Sequence, residues 1–168
     1  MARPFDAKYF SARWFDCFSM GAGSAWCILS GMESLLLGLG IGFVSGLRAF
    51  TSLAALMLSR GVGLWGIVLG VAALGEYVAD ASPKVPSRTA FPSIVVRPLS
   101  GAVAGWFITA WHGGSPVAGA IVGAIGALIG TYGGHAARAA AIAKIGALPA
   151  AVAEDAVAIA LAALIVTR

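Results

Sequence analysis

The chain of 168 residues is 60% hydrophobic and only 11% charged, and its mean hydropathy is strongly positive. Soluble domains carry about 25% charged residues, so this composition excludes an ordinary soluble fold, and the length restricts the chain to a single bundle. The net charge of +4 does not signal a nucleic-acid partner, because the basic residues fall in short segments between apolar runs, as the positive-inside rule describes for membrane proteins.

Residues 1–31 form an N-terminal extension, and 32–168 the transmembrane helical domain. Arg3, Lys8 and Arg13 open the extension, but Asp6 and Asp16 interrupt this basic region and no long apolar core follows, unlike a signal peptide. Two readings stand side by side. Phe5, Tyr9, Phe10 and Trp14 suit an interfacial helix in the headgroup layer. Alternatively the start is misplaced, since Met32-Glu33-Ser34 opens the first apolar run directly. Cys17 and Cys27 have no metal or redox spacing and read as free thiols.

Hydrophobic runs predict an all-α integral membrane protein with about five transmembrane helices, over 34–58, 61–81, 93–111, 115–137 and 149–166. In the third, Arg97 and Pro98 leave about 14 uncharged residues before His112, so a tilted or re-entrant segment is the alternative there. Pro149 suits the first turn of the fifth, where its missing N–H costs little. Five passes place the N-terminus, loop 82–92 and loop 138–148 on one side. That side collects Arg3, Lys8, Arg13, Lys84, Arg88, Arg138 and Lys144, with Arg97 at the mouth of a helix, and the other side only Arg60 and Arg168. The bias predicts a bacterial inner-membrane protein with a cytoplasmic N-terminus and an external C-terminus.

Glycines recur every four residues at Gly38, Gly42 and Gly46, at Gly66 and Gly70, and at Gly101 and Gly105. The fourth run adds Gly119, Gly123, Gly126, Gly130 and Gly134. Such faces let helix backbones approach closely, within the chain or in a homo-oligomer in the lipid bilayer. A faint similarity at an offset of 55 residues (Ser45-Gly46 with Ser100-Gly101, and Gly75 and Tyr77 with Gly130 and Tyr132) suggests a weak internal repeat of helix pairs.

Polar residues stand out against this background. Arg48 lies within 34–58, which has no other charge, and a charge at bilayer depth costs at least ~2.5–3.5 kcal/mol on insertion scales. With Ser45, Ser52 and Ser59 it forms a polar stripe on one face of a continuous helix. Glu76, Tyr77 and Asp80 follow in the second run, the two acids at i and i+4, where a cation or a shared proton would relieve their repulsion. Glu154 and Asp155 fall inside the fifth run as counter-charges for Arg48, though five alternating spans put Arg48 and Glu154 some 13–15 Å apart in depth. Lys84, Arg88 and Arg97 would grip an anion or a lipid headgroup. Motifs of soluble enzymes and Cys/His metal spacings are missing, and His112 and His135 sit at opposite ends of the fourth run. No catalytic residue, metal or cofactor is assigned.

Four ordered motifs carry a family resemblance: Gly46-Leu47-Arg48-Ala49-Phe50-Thr51, Leu74-Gly75-Glu76-Tyr77-Val78-Ala79-Asp80, Pro83-Lys84-Val85-Pro86-Ser87-Arg88-Thr89 and Glu154-Asp155-Ala156-Val157-Ala158-Ile159. Over about 33–166 the chain resembles the bacterial multi-pass membrane family called domain of unknown function 4126. The resemblance implies the membrane class and no particular chemistry. The residues favour binding or transport of a small solute or ion by Arg48, Ser45, Ser52, Glu76, Tyr77, Asp80, Glu154 and Asp155. A non-catalytic scaffold or assembly protein and an enzyme acting on a lipid phosphate are the alternatives.

Overall fold

The structure, a computed structural model, describes residues 24–61, 63–80, 91 and 93–168, the side chains of 24–30 and 77–80 excepted. All regular structure among them is helical: α1 (Ser24–Leu47), α2 (Ala49–Ser59), α3 (Leu64–Asp80), α4 (Ser93–Trp111), α5 (Pro116–Ile145) and α6 (Ala147–Val166). Helices α4, α5 and α6 are long and apolar enough to cross a membrane, and 31–47, α2 and 64–76 are shorter apolar helices. This is compatible with a membrane protein.

Local chemistry sets several boundaries. Ser115 caps α5 by accepting from the Ala118 N–H at 3.4 Å, and Pro116 follows in the first helical position. Gly146, at φ +87°, turns the chain between α5 and α6 in a conformation that suits glycine. Its N–H still donates to the Ile142 carbonyl at 3.0 Å, which closes the last turn of α5.

The centre of the molecule is a three-helix core of α1, α4 and α5 in which backbone meets backbone. A Cβ built on Gly42 or Gly105 would fall well inside 3.0 Å of the Gly123 or Gly119 carbonyl oxygen, and one on Gly126 or Gly130 would meet the Leu39 or Phe43 oxygen. Where apolar lipid removes the hydrophobic drive for helix association, such close approach supplies the packing. The glycine faces of α1, α4 and α5 are therefore spent inside one chain. Among the described helical glycines, Gly31, Gly70, Gly75 and Gly133 are in open space.

Helices α1 and α2 do not form one span. The chain leaves the helix at Arg48, which is extended at φ −145° and ψ 107°, and folds back on itself. Ser45 and Ser52, about 10 Å apart along a straight helix, make a hydroxyl–hydroxyl contact, and Ile41 packs in one cluster with Leu56. The predicted continuous helix over 34–58 is thus corrected to a helical hairpin with Arg48 at its tip. Ser45 and Ser52 still face each other, but across the hairpin, while Ser59 bonds back to the Leu56 carbonyl at 2.8 Å.

The reversal changes the topology. Near its start, α1 meets the outgoing end of α4: the Thr109 hydroxyl donates to the Ser34 carbonyl at 3.3 Å. Helix α2 returns to that same end, where Arg60 lies over the Trp111 ring at 4.1 Å. The C-terminal end of α6 arrives there too, with Ile165 and Val166 against the Ile41–Leu56 cluster. The described start of the chain and its C-terminal helix end therefore lie at one end of the bundle, here the Trp111 end. The expected side of the N-terminus itself falls on residues 1–23, which lie outside the described residues. The tip at Arg48, the ends of α3 and α4 next to the 81–92 connection, and the α5–α6 turn point the other way. The fold also gives no support to the internal repeat: Val103, the counterpart of Arg48 at the 55-residue offset, sits inside the uninterrupted α4.

Candidate functional site at a helix reversal

Breaking a helix in a dry interior frees backbone groups, and each must find a partner. At the tip the partners are charged side chains from other helices. The last carbonyls of α1 are closed by Arg97 of α4, whose Nη1 donates to the oxygens of Gly46 and Leu47 at 2.5 and 2.7 Å. The Thr131 hydroxyl of α5 donates to the Ala127 carbonyl of its own helix at 2.8 Å and lies 3.3 Å from the Gly46 oxygen, sharing its proton with the tip. The first N–H groups of α2 are closed by Glu76 of α3, one carboxylate oxygen accepting from Ala49 and the other from Phe50, both at 3.2 Å. A negative carboxylate at a helix N-terminus and a positive guanidinium at a C-terminus each match the local dipole. Arg97 and Glu76 then approach each other at 3.5 Å, and Arg97 Nε donates to the Ser93 hydroxyl at 3.0 Å.

Arg48 itself is buried at 1% exposure, the largest side chain so enclosed. Its guanidinium pairs with Asp155 of α6, Nε donating at 2.9 Å and Nη2 contacting the same oxygen. One turn of α5 away from the tip, Arg138 donates to Glu154 at 3.3 Å. Among the described residues, Arg48 and Arg97 meet Glu76 and Asp155 in a quartet of two positive and two negative groups drawn from α3, α4, α6 and the tip. No buried side-chain nitrogen or oxygen among the described residues lacks a hydrogen-bond partner.

The depth conflict between Arg48 and the α6 acids disappears for a geometric reason. Because α1 runs from the Trp111 end toward the end where α6 begins, it delivers Arg48 to the level of Asp155. Arg48, Glu76 and Asp155 come together, and Ser45 and Ser52 lie just behind them in the hairpin. Glu154 pairs with Arg138 at the flank of the quartet. Arg97, grouped by sequence with Lys84 and Arg88 as an anion grip, is turned inward at 3% exposure and holds the tip. Lys84, Arg88 and the side chains of Tyr77 and Asp80 lie outside the described residues.

No protein-family model matches the chain, and no curated protein or solved structure is significantly similar to it. The chemistry of the tip must be read from its geometry. Sequence reasoning missed Thr131 and Ser93. Thr131 carries one readable signal, a hydroxyl beside Gly130 on the glycine stripe of α5.

Proposed function

We propose that the protein is a multi-pass membrane protein that binds or passes a small solute or ion at the charge-closed helix reversal. The supporting observation is the interrupted helical segment whose two free ends are met by Arg97 and Glu76 and whose tip residue is paired with Asp155. Broken helices inside membranes recur where irregular backbone lines a solute or ion site. A purely packing role does not require such charges, because apolar side chains of similar volume often replace a buried ion pair without loss of stability. Glu76 and Asp155 supply anionic groups for protons or cations, and Arg48 and Arg97 hold them in place. The quartet as described is the closed state.

In this reading the end carrying Lys84, Arg88, Arg138 and Lys144 faces the cytoplasm, and Arg168 lies outside, as the positive-inside bias favours. A reporter fused after Arg168 that is active only outside the cytoplasm tests the orientation. The four motifs also support kinship with the family called domain of unknown function 4126.

The complete pairing of the quartet favours a second reading, a scaffold whose charges lock helices. One experiment separates the two. Purified protein in proteoliposomes is assayed with entrapped pH and potassium dyes and with a panel of labelled small anions. The double variant Arg48→Met/Asp155→Leu removes the charges while keeping the volume filled. A transporter loses its flux in this variant at unchanged melting temperature. If no tested species crosses with either protein and the variant is as stable as the parent, the scaffold reading stands instead.

A further inference from the structure

We propose that α3 is a movable arm, hinged at Gly61 and Gly63 and latched at its far end by Glu76. Three observations place the hinge, the arm and the latch.

At the hinge, Gly61 adopts φ +126°, and a Cβ at Gly61 or Gly63 would find no atom within 4 Å. Gly61 thus depends on glycine for its backbone conformation, and neither Gly61 nor Gly63 is packed against a neighbour. The arm rests chiefly on α2: Gly66 fits against Leu58 and Ala73 is buried, while Leu64, Trp65, Ile67, Val71 and Leu74 are all exposed. Gly70 and Gly75 have nothing within 4 Å of a Cβ, in contrast to the backbone-to-backbone glycines of the core. In a bilayer these apolar faces already meet lipid, so moving α3 exposes little new surface. The latch is Glu76, the described side chain that carries α3's polar contacts to the tip, at 3.2 Å to each of two N–H groups and 3.5 Å to Arg97.

Leverage follows from the length. Gly63 and Glu76 are about 20 Å apart along the helix, so a rotation of about 10° at the hinge carries the carboxylate roughly 3 Å. That breaks both hydrogen bonds, which need heavy-atom separations near 3 Å. The Ala49 and Phe50 N–H groups are then open to water or to a replacement anion. The arm is independent of what the tip handles: its failure would leave the solute reading standing, and a failed flux assay would leave the arm standing.

The test uses nanodisc-embedded protein with Cys17→Ser and Cys27→Ser, spin-labelled at Val71→Cys and Ile125→Cys to report α3 against α5. Glu76→Ala is expected to add a population longer by about 2 Å for a swing of about 10°, because Val71 lies about 12 Å from Gly63, and by more for a wider swing. A control pair at Val103→Cys and Ile125→Cys, across α4 and α5, is expected to stay unchanged. An α3–α5 distribution identical to that of the parent overturns the arm. Should Glu76→Ala fail to fold, amide exchange of the unsubstituted protein decides. Residues 49–53 are expected to exchange about tenfold or more faster than residues 42–46, because local opening differs between latch and core. Equal protection of the two segments overturns the proposal.

Discussion

The glycine-packed core of α1, α4 and α5 and the charge-held periphery of α2, α3 and α6 are stabilised by opposite means. At the glycine crossings of the core, such as Gly42 and Gly105 against α5, carbonyls and Cα atoms of neighbouring helices meet directly, and the helices hold by dispersion over close backbone contact. Around it, long side chains reach across gaps: Glu76 from α3, and Asp155 from α6. The first kind of contact tolerates no added volume, because interiors pack at crystal-like density. The second tolerates volume but not the loss of one partner, because a buried charge left alone is expensive. Steric intolerance in one region and electrostatic intolerance in the other is the lesson of the comparison.

Substitutions can break or sharpen it. The largest effect is expected for Gly123→Leu, whose side chain would enter the Gly101 and Gly105 backbone. Overpacking alone costs about 1–3 kcal/mol, and with rigid backbone on the receiving side the loss should reach or exceed the upper figure. Size-exclusion chromatography and thermal melting in detergent should show aggregation or a collapsed Tm; a variant that melts like the parent would mean the core is looser than described. Next is Asp155→Ala, which removes one carboxylate from the buried Arg48 and should cost up to about 3–5 kcal/mol, less whatever water or other partners of Arg48 make good. A double-mutant cycle with Arg48→Met should recover most of that loss, and additive losses would mean that the pair is not coupled. Glu76→Gln keeps acceptor capacity for one N–H while removing the charge, so about 1–2 kcal/mol is expected by the same melting assay. The smallest effect belongs to Gly70→Leu, within about 0.5 kcal/mol, since open space surrounds that position. A cost like that of Gly123→Leu would reveal a packed partner on the α3 face and redraw the boundary between the two regions.

Much of the helical content was legible from apolar runs: 93–111 coincides with α4, and 149–166 falls within α6. The reversal at Arg48 was not. Helix stops are normally announced by glycine, proline or a short polar cap. Here Arg48 occupies the cap position of α2 without capping it, and Glu76 does that work from a different helix. A cap supplied from 27 residues away leaves no local mark. Once the hairpin was hidden, the apparent depth of Arg48 went wrong with it. The charges that meet at the tip were legible, because cost identifies buried charges whatever the path of the chain: Arg48, Glu76 and Asp155 all stand out in the sequence. Arg97 was named too, but its proximity to Lys84 and Arg88 in sequence suggested a headgroup contact, whereas Pro98 and Ser100 follow it inside α4 and carry it into the bundle. The glycine stripes were equally visible, yet a stripe alone does not say whether its partner lies within the chain.

The separation of 107 residues between Arg48 and Asp155 has a consequence for how the protein is made. At about 5–20 residues per second, a ribosome needs roughly 5–20 s after Arg48 to produce its counter-ion. The Glu76 cap arrives several times sooner. During that interval the newly made hairpin lacks the Asp155 carboxylate that Arg48 meets in the finished fold, which favours holding the tip in a watery vestibule or at the headgroup layer. Final burial of the tip is then coupled to the emergence of α6. Chains truncated before Asp155 should leave Arg48 accessible to aqueous reagents, which makes the last helix the closing step of assembly.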